Sequence, residues 1–206
     1  MKTTDELGRI YNESHYEHGS YRGYTRWYFK VYHFFKFFPA GFWCKFFLHA
    51  KTVLDIGCAD GMSVWVFRKV FGLRAYGVEV SQWATRHAFK SIKEYIVSGS
   101  IEDEALKLPL ERFDVVVSFD TFEHLQPDNL EKTIKRIFTV TDTLFCSIYV
   151  LDEFVAFLQN LFGTTHVSHF SEHSSSWWME FFSKLDAMAT RVPFGRRGTF
   201  LIRKKQ

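Results

Sequence analysis

The chain has 206 residues, of which 47% are hydrophobic and 24% charged, a balance that suits one globular domain with a proper core. A formal net charge of +3 neither requires nor excludes a nucleic-acid partner, and an aromatic share of 19% excludes a disordered chain. Cys44, Cys58 and Cys146 are odd in number and lack paired spacing. That argues against a disulfide framework or a structural zinc site and for a reducing, cytoplasmic compartment.

Residues 1–26 are polar, with Asp5, Glu6, Arg9 and Glu13 near the front, and do not read as a signal peptide. Tyr11, Tyr16, Tyr21, Tyr24, Trp27 and Tyr28 lead into a Phe-rich run that ends at Phe47. Lys30, His33, Lys36, Pro39 and Lys45 interrupt the stretch from Trp27 to Leu48, so it is no membrane span, which wants about 20 consecutive apolar residues. A helix packed on the core is one reading of this segment. An amphipathic surface lying on a membrane is another, with Arg22, Arg26 and the lysines towards anionic headgroups.

From Thr52 onward short β-branched runs alternate with helical stretches. Thr52–Ile56 is expected as a buried strand, followed by a helix to about Phe71. Ala75–Val80 is expected as a strand and Trp83–Tyr95 as a helix. Phe113–Phe119 is a continuous apolar run, the pattern of a central strand buried on both faces. Asn129–Thr139 returns to helix and Thr143–Tyr149 to strand. This alternation implies crossovers and a parallel sheet. At the end, Ser174–Ser176 can cap a helix over Trp177–Leu185. Ala187–Val192 and Thr199–Arg203, joined by the turn 193–198, are too close for a parallel crossover and must form an antiparallel hairpin.

The chemistry concentrates in Val53-Leu54-Asp55-Ile56-Gly57-Cys58-Ala59-Asp60-Gly61. A strand ends there, and small residues at 57, 59 and 61 let backbone approach a ligand before the helix begins. Glu79, at the end of the next strand, falls on the same carboxyl edge, where an acidic side chain can accept hydrogen bonds from both hydroxyls of a ribose. A dinucleotide site usually wants Gly-x-Gly-x-x-Gly, and Met62 occupies the position of the third glycine.

These residues resemble the first motif of class I S-adenosylmethionine-dependent methyltransferases, and Tyr76-Gly77-Val78-Glu79-Val80-Ser81 resembles the ribose-binding segment that follows it. Gly99-Ser100-Ile101-Glu102-Asp103 is similar to the family's adenine-side segment, Phe113–Phe119 to its fourth strand, and Phe122-Glu123-His124-Leu125 to its frequent Glu-His-Leu. The likeness covers residues 52–203. It implies an α/β, Rossmann-like, seven-stranded, mostly parallel sheet with a terminal antiparallel hairpin and helices on both faces. It further implies one methyltransferase domain over 1–206, with 1–50 as an aromatic, helical lid and 51–206 as the core.

The same resemblance implies S-adenosyl-L-methionine as cofactor, held by Tyr16, Asp55, Gly57, Cys58, Ala59, Gly61, Glu79, Val80, Ser100, Ile101, Glu102 and Phe119. Ala59 replaces the family's middle glycine. Ser100 stands where the family often has Asp, so Glu102 is the alternative contact for the adenine amine, with Ile101 and Val80 on the two faces of the base. Ser118-Phe119-Asp120-Thr121 departs from the Asn/Asp-Pro-Pro-Tyr/Phe loop of relatives that methylate nucleobase amines or glutamine amides. Methylation of oxygen on a small molecule is therefore the leading expectation.

His124, and His166 in Thr164-Thr165-His166-Val167, fall in segments expected at the carboxyl edge and are the candidate bases, since a neutral imidazole near pH 7 can take a proton from an attacking hydroxyl. His169 and His173 are assigned to loop and helix start. Asp120, Glu123 and His124 resemble the acid-x-x-Glu-His of magnesium-dependent relatives, but Glu-His-Leu is frequent in members without metal, and no metal is expected. An RNA, lipid-linked or saccharide acceptor stays open, the basic tail Arg196, Arg197, Arg203, Lys204 and Lys205 suiting an anionic one. So do a catalytically inactive cofactor-binding module and peripheral membrane contact. Oligomeric state is not legible.

Overall fold

The computed structural model describes residues 26–125, 127–151, 171–192 and 198–205. The chain divides into two compact units, Met1–Val116 and Val117–Gln206, with the boundary falling inside a strand.

In the first unit, α1 (Trp27–Phe46) precedes β1 (Thr52–Ile56), α2 (Met62–Lys69), β2 (Arg74–Glu79), α3 (Gln82–His87) and β3 (Ile96–Ser98). β1 pairs in parallel with β2, Thr52 opposite Arg74 and Ile56 opposite Val78, and β2 pairs in parallel with β3. Val53 and Leu54 of β1, Val64, Val66 and Phe67 of α2, and Ala75 of β2 have no exposed surface, so the β-branched run and the helical stripe meet in one core. α1 turns His33, Phe37, Ala40, Gly41 and Cys44 inward at helical spacing. A side chain at Gly41 would come within 2.5 Å of the Phe71 ring, and this close approach brings α1 onto α2.

β4 (Val115–Phe119) spans the boundary. The second unit continues with α4 (Pro127–Val140), β5 (Thr143–Ser147), α5 (Ser175–Lys184), β6 (Ala187–Arg191) and β7 (Thr199–Lys204). Leu130, Ile134 and Ile137 are buried at helical spacing on α4, and Trp178 and Phe182 on α5. Ser174 caps α5, its hydroxyl accepting from the Trp177 amide at 3.2 Å. β7 lies between β5 and β6 and runs antiparallel to both. A side chain at Gly198 would meet the Ile148 carbonyl oxygen at 1.9 Å, so only glycine fits where the hairpin enters β7. The sheet is seven-stranded and mostly parallel, in the order β3-β2-β1-β4-β5-β7-β6, with helices around it and a terminal antiparallel hairpin, as the resemblance implies.

Most element bounds differ from the sequence expectations by one or two residues, β5 ending at Ser147 rather than Tyr149 among them, and three larger or specific differences have a local reason. The helix expected over Trp83–Tyr95 ends at His87. The His87 ring stacks on Trp83 at 4.0 Å and its Nδ1 donates to the Trp83 carbonyl, while Ala88 turns extended. Phe89 then packs towards Trp65, and Ile92 is fully buried, so tertiary contacts override the helical periodicity. β3 was not expected at all, because three residues are too few to show a period. β4 begins at Val115 rather than Phe113, because Asp114 engages the end of β1 through its side chain.

That engagement is specific. Asp114 Oδ2 accepts the amides of Lys51 and Thr52, both at 2.8 Å, and the Thr52 hydroxyl at 2.9 Å. Burial pushes this carboxyl up, but those donors and the Lys51 charge together bring it below the ordinary range. Its stabilisation is therefore present above about pH 4 and lost as the pH falls through its lowered value. Asp114→Ala is expected to cost about 1–3 kcal/mol at neutral pH, read from denaturant midpoints. The gap from the parent should close in acid, and a gap that persisted there would count against the assignment.

Candidate functional site

The turn from β1 into α2 is built on alternating left-handed residues. Gly57 has φ 78°, Ala59 φ 49° and Gly61 φ 77°. Two of the three are the residue type this conformation favours, and Ala59 adopts it with a Cβ, at a cost of about 1–2 kcal/mol. The Gly57 and Cys58 amides both donate to the Val78 carbonyl, at 2.9 and 3.3 Å, and the Gly61 amide to the Cys58 carbonyl at 2.9 Å. A Cβ on Gly61 would lie 2.5 Å from Ile92 and 2.7 Å from Ile96, so glycine is required on steric as well as conformational grounds. Likewise, a Cβ on Gly77 would come within 2.4 Å of the Cys58 sulfur, which fixes how the turn sits on β2.

Glu79, 5% exposed, ties this turn to the next one. Its Oε2 accepts the Ala59 amide at 2.8 Å and its Oε1 the Ser81 amide at 2.7 Å. Burial pushes its carboxyl up, the amides of Ser81, Ala59 and Val80 oppose the rise, and the Asp60 charge adds to it. The Glu79 carbonyl accepts the Gly99 amide at 2.9 Å, which brings Ser100, Ile101 and Glu102 to the same strand end. All three are buried, and the Glu102 amide donates to the Ser100 hydroxyl at 3.2 Å. Val80 is half-buried.

Asp55 lies beneath the turn, 2% exposed. The Ser63 hydroxyl donates to its Oδ2, while Oδ1 has no hydrogen-bond partner among the described residues. Burial pushes this carboxyl up to about 7; the Ser63 hydroxyl opposes the rise, the Glu79 charge adds to it and Lys36 of α1 opposes it. Asp60, also buried, accepts the Met62 amide at 3.2 Å. Burial, with the charges of Asp55, Glu79 and Asp60 adding to it, keeps the Cys58 thiol protonated. Three buried acids around one turn make an electronegative cradle that suits a cationic, hydroxyl-bearing ligand.

The first unit thus gathers Asp55, Gly57, Cys58, Ala59, Gly61, Glu79, Val80, Ser100, Ile101 and Glu102. Sequence reasoning missed four contributors. Ser63 holds Asp55, Ser81 donates its amide to Glu79 and caps α3, Lys36 faces Asp55, and Phe29 packs with Ala59 against Trp83 and Ala84. Ser81 carried a legible signal, a serine just before a helical stretch. The contributions of Phe29 and Lys36 come from a different element and had none.

In the second unit Phe119 is half-buried at the end of β4. Phe122–His124 forms a single 3-10 turn in which Glu123 is buried and His124 half-buried. Glu123 Oε1 accepts the Tyr149 amide at 3.2 Å and its carbonyl accepts the Ser171 amide at 3.0 Å, while the Ser171 hydroxyl donates to Leu125. Glu123 therefore ties the segments that follow β4 and β5 together. His173 stacks on Trp177 at 3.5 Å, and burial lowers its pKa. Among the described residues no three His, Cys, Asp or Glu side chains are grouped so as to hold a metal ion. Tyr16, His166 and His169 lie outside the described residues.

The cradle can be tested against S-adenosylmethionine from this chain's own atoms. The Asp55 Oδ1 is a buried acceptor able to receive an ammonium group, Glu79 retains lone pairs for hydroxyls, and the glycines leave room for close approach. The donor set fits.

A family model described as a methyltransferase domain matches residues 33–182. Among solved structures, the magnesium protoporphyrin IX methyltransferase of Synechocystis PCC 6803, with S-adenosylhomocysteine bound, superposes with a TM-score of 0.67 at 15% identity, covering 85% of this chain and 84% of that one. The PH0226 protein of Pyrococcus horikoshii OT3 superposes with a TM-score of 0.69 at 16% identity, covering 93% and 98%. The mitomycin 7-O-methyltransferase gives 0.67 at 18% identity, covering 98% of this chain and 60% of that one. No match was found among curated protein sequences.

The Asp55 carboxyl gives a direct handle on the cradle. A carboxyl whose folded pKa is raised from 3.8 to about 7 holds its proton longer in the folded state. Its stabilising contribution is complete below about pH 4 and is lost as the pH rises through about 7. The melting temperature should therefore fall over that interval more steeply in the parent than in Asp55→Asn, which keeps an acceptor for Ser63. Parallel slopes in the two melting series would show that Asp55 is already ionised.

Proposed function

The chain belongs to the methyltransferase-domain family of the class I S-adenosylmethionine-dependent superfamily, and we propose that it methylates an oxygen of a small molecule with S-adenosyl-L-methionine as cofactor. The observation that carries this is the cradle of Asp55, Asp60 and Glu79 under a glycine-lined turn, with one Asp55 oxygen left to accept a bond from a ligand. When bound, the cofactor supplies an electrophilic methyl group on a sulfonium centre.

Each residue then has a stated task. The Glu79 carboxylate holds the ribose hydroxyls. Asp55 receives the amino group, Gly57, Cys58, Ala59 and Gly61 bring backbone close, Val80 and Ile101 cover the base, and Ser100 or Glu102 meets its amine. Phe119 and Tyr16 are assigned to the same set by the resemblance. The chain 1–206 works as one domain, with 1–50 closing the site against water, which favours a desolvated nucleophile. Ser118–Thr121 at the end of β4, in place of Asn/Asp-Pro-Pro-Tyr/Phe, supports oxygen over planar nitrogen as acceptor. Neighbours of the fold named for porphyrin and mitomycin substrates support a small-molecule acceptor. Three buried thiols fit a reducing, cytoplasmic setting.

His124 or His166 takes the acceptor's proton as its oxygen attacks. Glu123, engaged by the Tyr149 amide, positions the loop that carries His124.

Two measurements test this reading. Glu79→Ala should weaken S-adenosylmethionine binding about tenfold or more, because the ribose hydroxyls lose a charged partner. Calorimetry showing unchanged affinity would sink the assignment, and binding of NAD in its place would overturn the cofactor. Alanine at His124 or His166 should slow turnover by roughly 10²–10⁴-fold while cofactor affinity holds. Losses under about threefold in both variants would leave the enzyme to work by positioning the acceptor oxygen in line with the methyl group.

A further inference from the structure

The carboxylates of the cradle are not equally engaged. Glu79 gives each of its oxygens to a backbone amide, and Asp60 accepts the Met62 amide. In Asp55, 2% exposed, Oδ2 accepts the Ser63 hydroxyl and Oδ1 has no hydrogen-bond partner among the described residues. A buried oxygen without a partner is costly as an anion and far less so in a protonated carboxyl. As an anion it is also a ready acceptor for a ligand's cation.

The groups around Asp55 leave its two states close in energy. Burial pushes the carboxyl up to about 7, with Ser63 of α2 and Lys36 of α1 favouring the ionised form and Glu79 of β2 opposing it. The neighbouring thiols do not compete for the charge. Burial, with the Asp55 charge adding to it, pushes Cys44 of α1 up to about 12 and raises Cys58 of the turn as well. His33, also buried on α1, packs its ring against those of Phe29 and Phe37. β4, next to β1 in the sheet, carries no titratable side chain. The proposed function gives Asp55 the amino group of the cofactor, and an ammonium bonded to Oδ1 needs that carboxyl ionised. Resting on that reading, we propose that cofactor binding expels a proton from Asp55 to solvent, so that the cradle exchanges a proton for an ammonium and releases its cofactor in mild acid. S-adenosylhomocysteine carries the same ammonium and undergoes the same exchange.

Calorimetry of the full chain with S-adenosylhomocysteine tests this. Run at about pH 6 in phosphate and in imidazole, whose heats of ionisation differ, it counts the protons released on binding. The parent should release close to one, and its affinity should fall about tenfold for each pH unit below about 7 while staying level above it. The probe 5′-methylthioadenosine keeps base and ribose and lacks the ammonium, so it should bind without that release. Asp55→Asn, which keeps an acceptor for Ser63, should bind S-adenosylhomocysteine without it too. Lys36→Met should move the break in affinity to higher pH, because a cation that favours ionised Asp55 is lost. A parent that binds with no proton released would overturn the inference and leave the cofactor reading standing. Equal release with both probes would assign the proton to Glu79 and overturn it as well, as would a proton still released by Asp55→Asn or a break that Lys36→Met leaves in place. Should Asp55→Asn fail to fold, the two probes on the parent decide. No binding of S-adenosylhomocysteine anywhere between about pH 6 and 8 would overturn the cofactor reading and this inference with it.

Discussion

Everything the first unit can offer a ligand depends on one buried carboxylate accepting two backbone amides. Glu79 sits at the end of β2 and bonds Ala59 on one side and Ser81 on the other. Taking a carboxylate out of water costs several kcal/mol. Hydrogen bonds to a charged acceptor return about 1.5–3 kcal/mol each, so two amides offset much of that cost. The bonds also hold the Ala59 φ of 49° in place, which a loop alone would relax. The β1–α2 turn and the β2–α3 turn therefore share one anchor, the Glu79 side chain.

Around that bond the cradle is more acidic than its neighbourhood can neutralise. Asp55 is pushed up to about 7 by burial, and among the charges that act on it Glu79 adds to the rise and Lys36 opposes it. Such an arrangement costs stability when no cation is present and favours a positively charged ligand by the same amount of unfavourable repulsion that the ligand relieves. The second unit solves a different problem. There Glu123 accepts the Tyr149 amide and its backbone accepts that of Ser171, so the loop bearing His124 is held by part-buried bonds outside the sheet ladder. His124 is half-buried on this loop.

α1 divides its sequence between two tasks. His33, Phe37, Ala40, Gly41 and Cys44 complete the core, and Phe29 packs on the Trp83 and Ala84 cluster that Ala59 also packs on. The same helix keeps a row of aromatic side chains in solvent. Because these residues alternate by turn along one helix, composition alone shows only an aromatic-rich segment.

The sequence by itself determined the order of strands and helices, the terminal hairpin and the carboxyl-edge position of Gly57–Gly61 and Glu79. Those follow from local rules: β-branched runs, helical stripes, glycine where φ is positive and a connection too short for a crossover. It did not show β3, whose three residues carry no period, nor the end of α3 at His87, which the packing of Phe89 and Ile92 decides. Nor could it join Lys36 to Asp55 or Phe29 to the Trp83 cluster, or separate the buried from the exposed phenylalanines of α1. Those relations link residues far apart in the chain, and only the packing of whole elements against one another sets them.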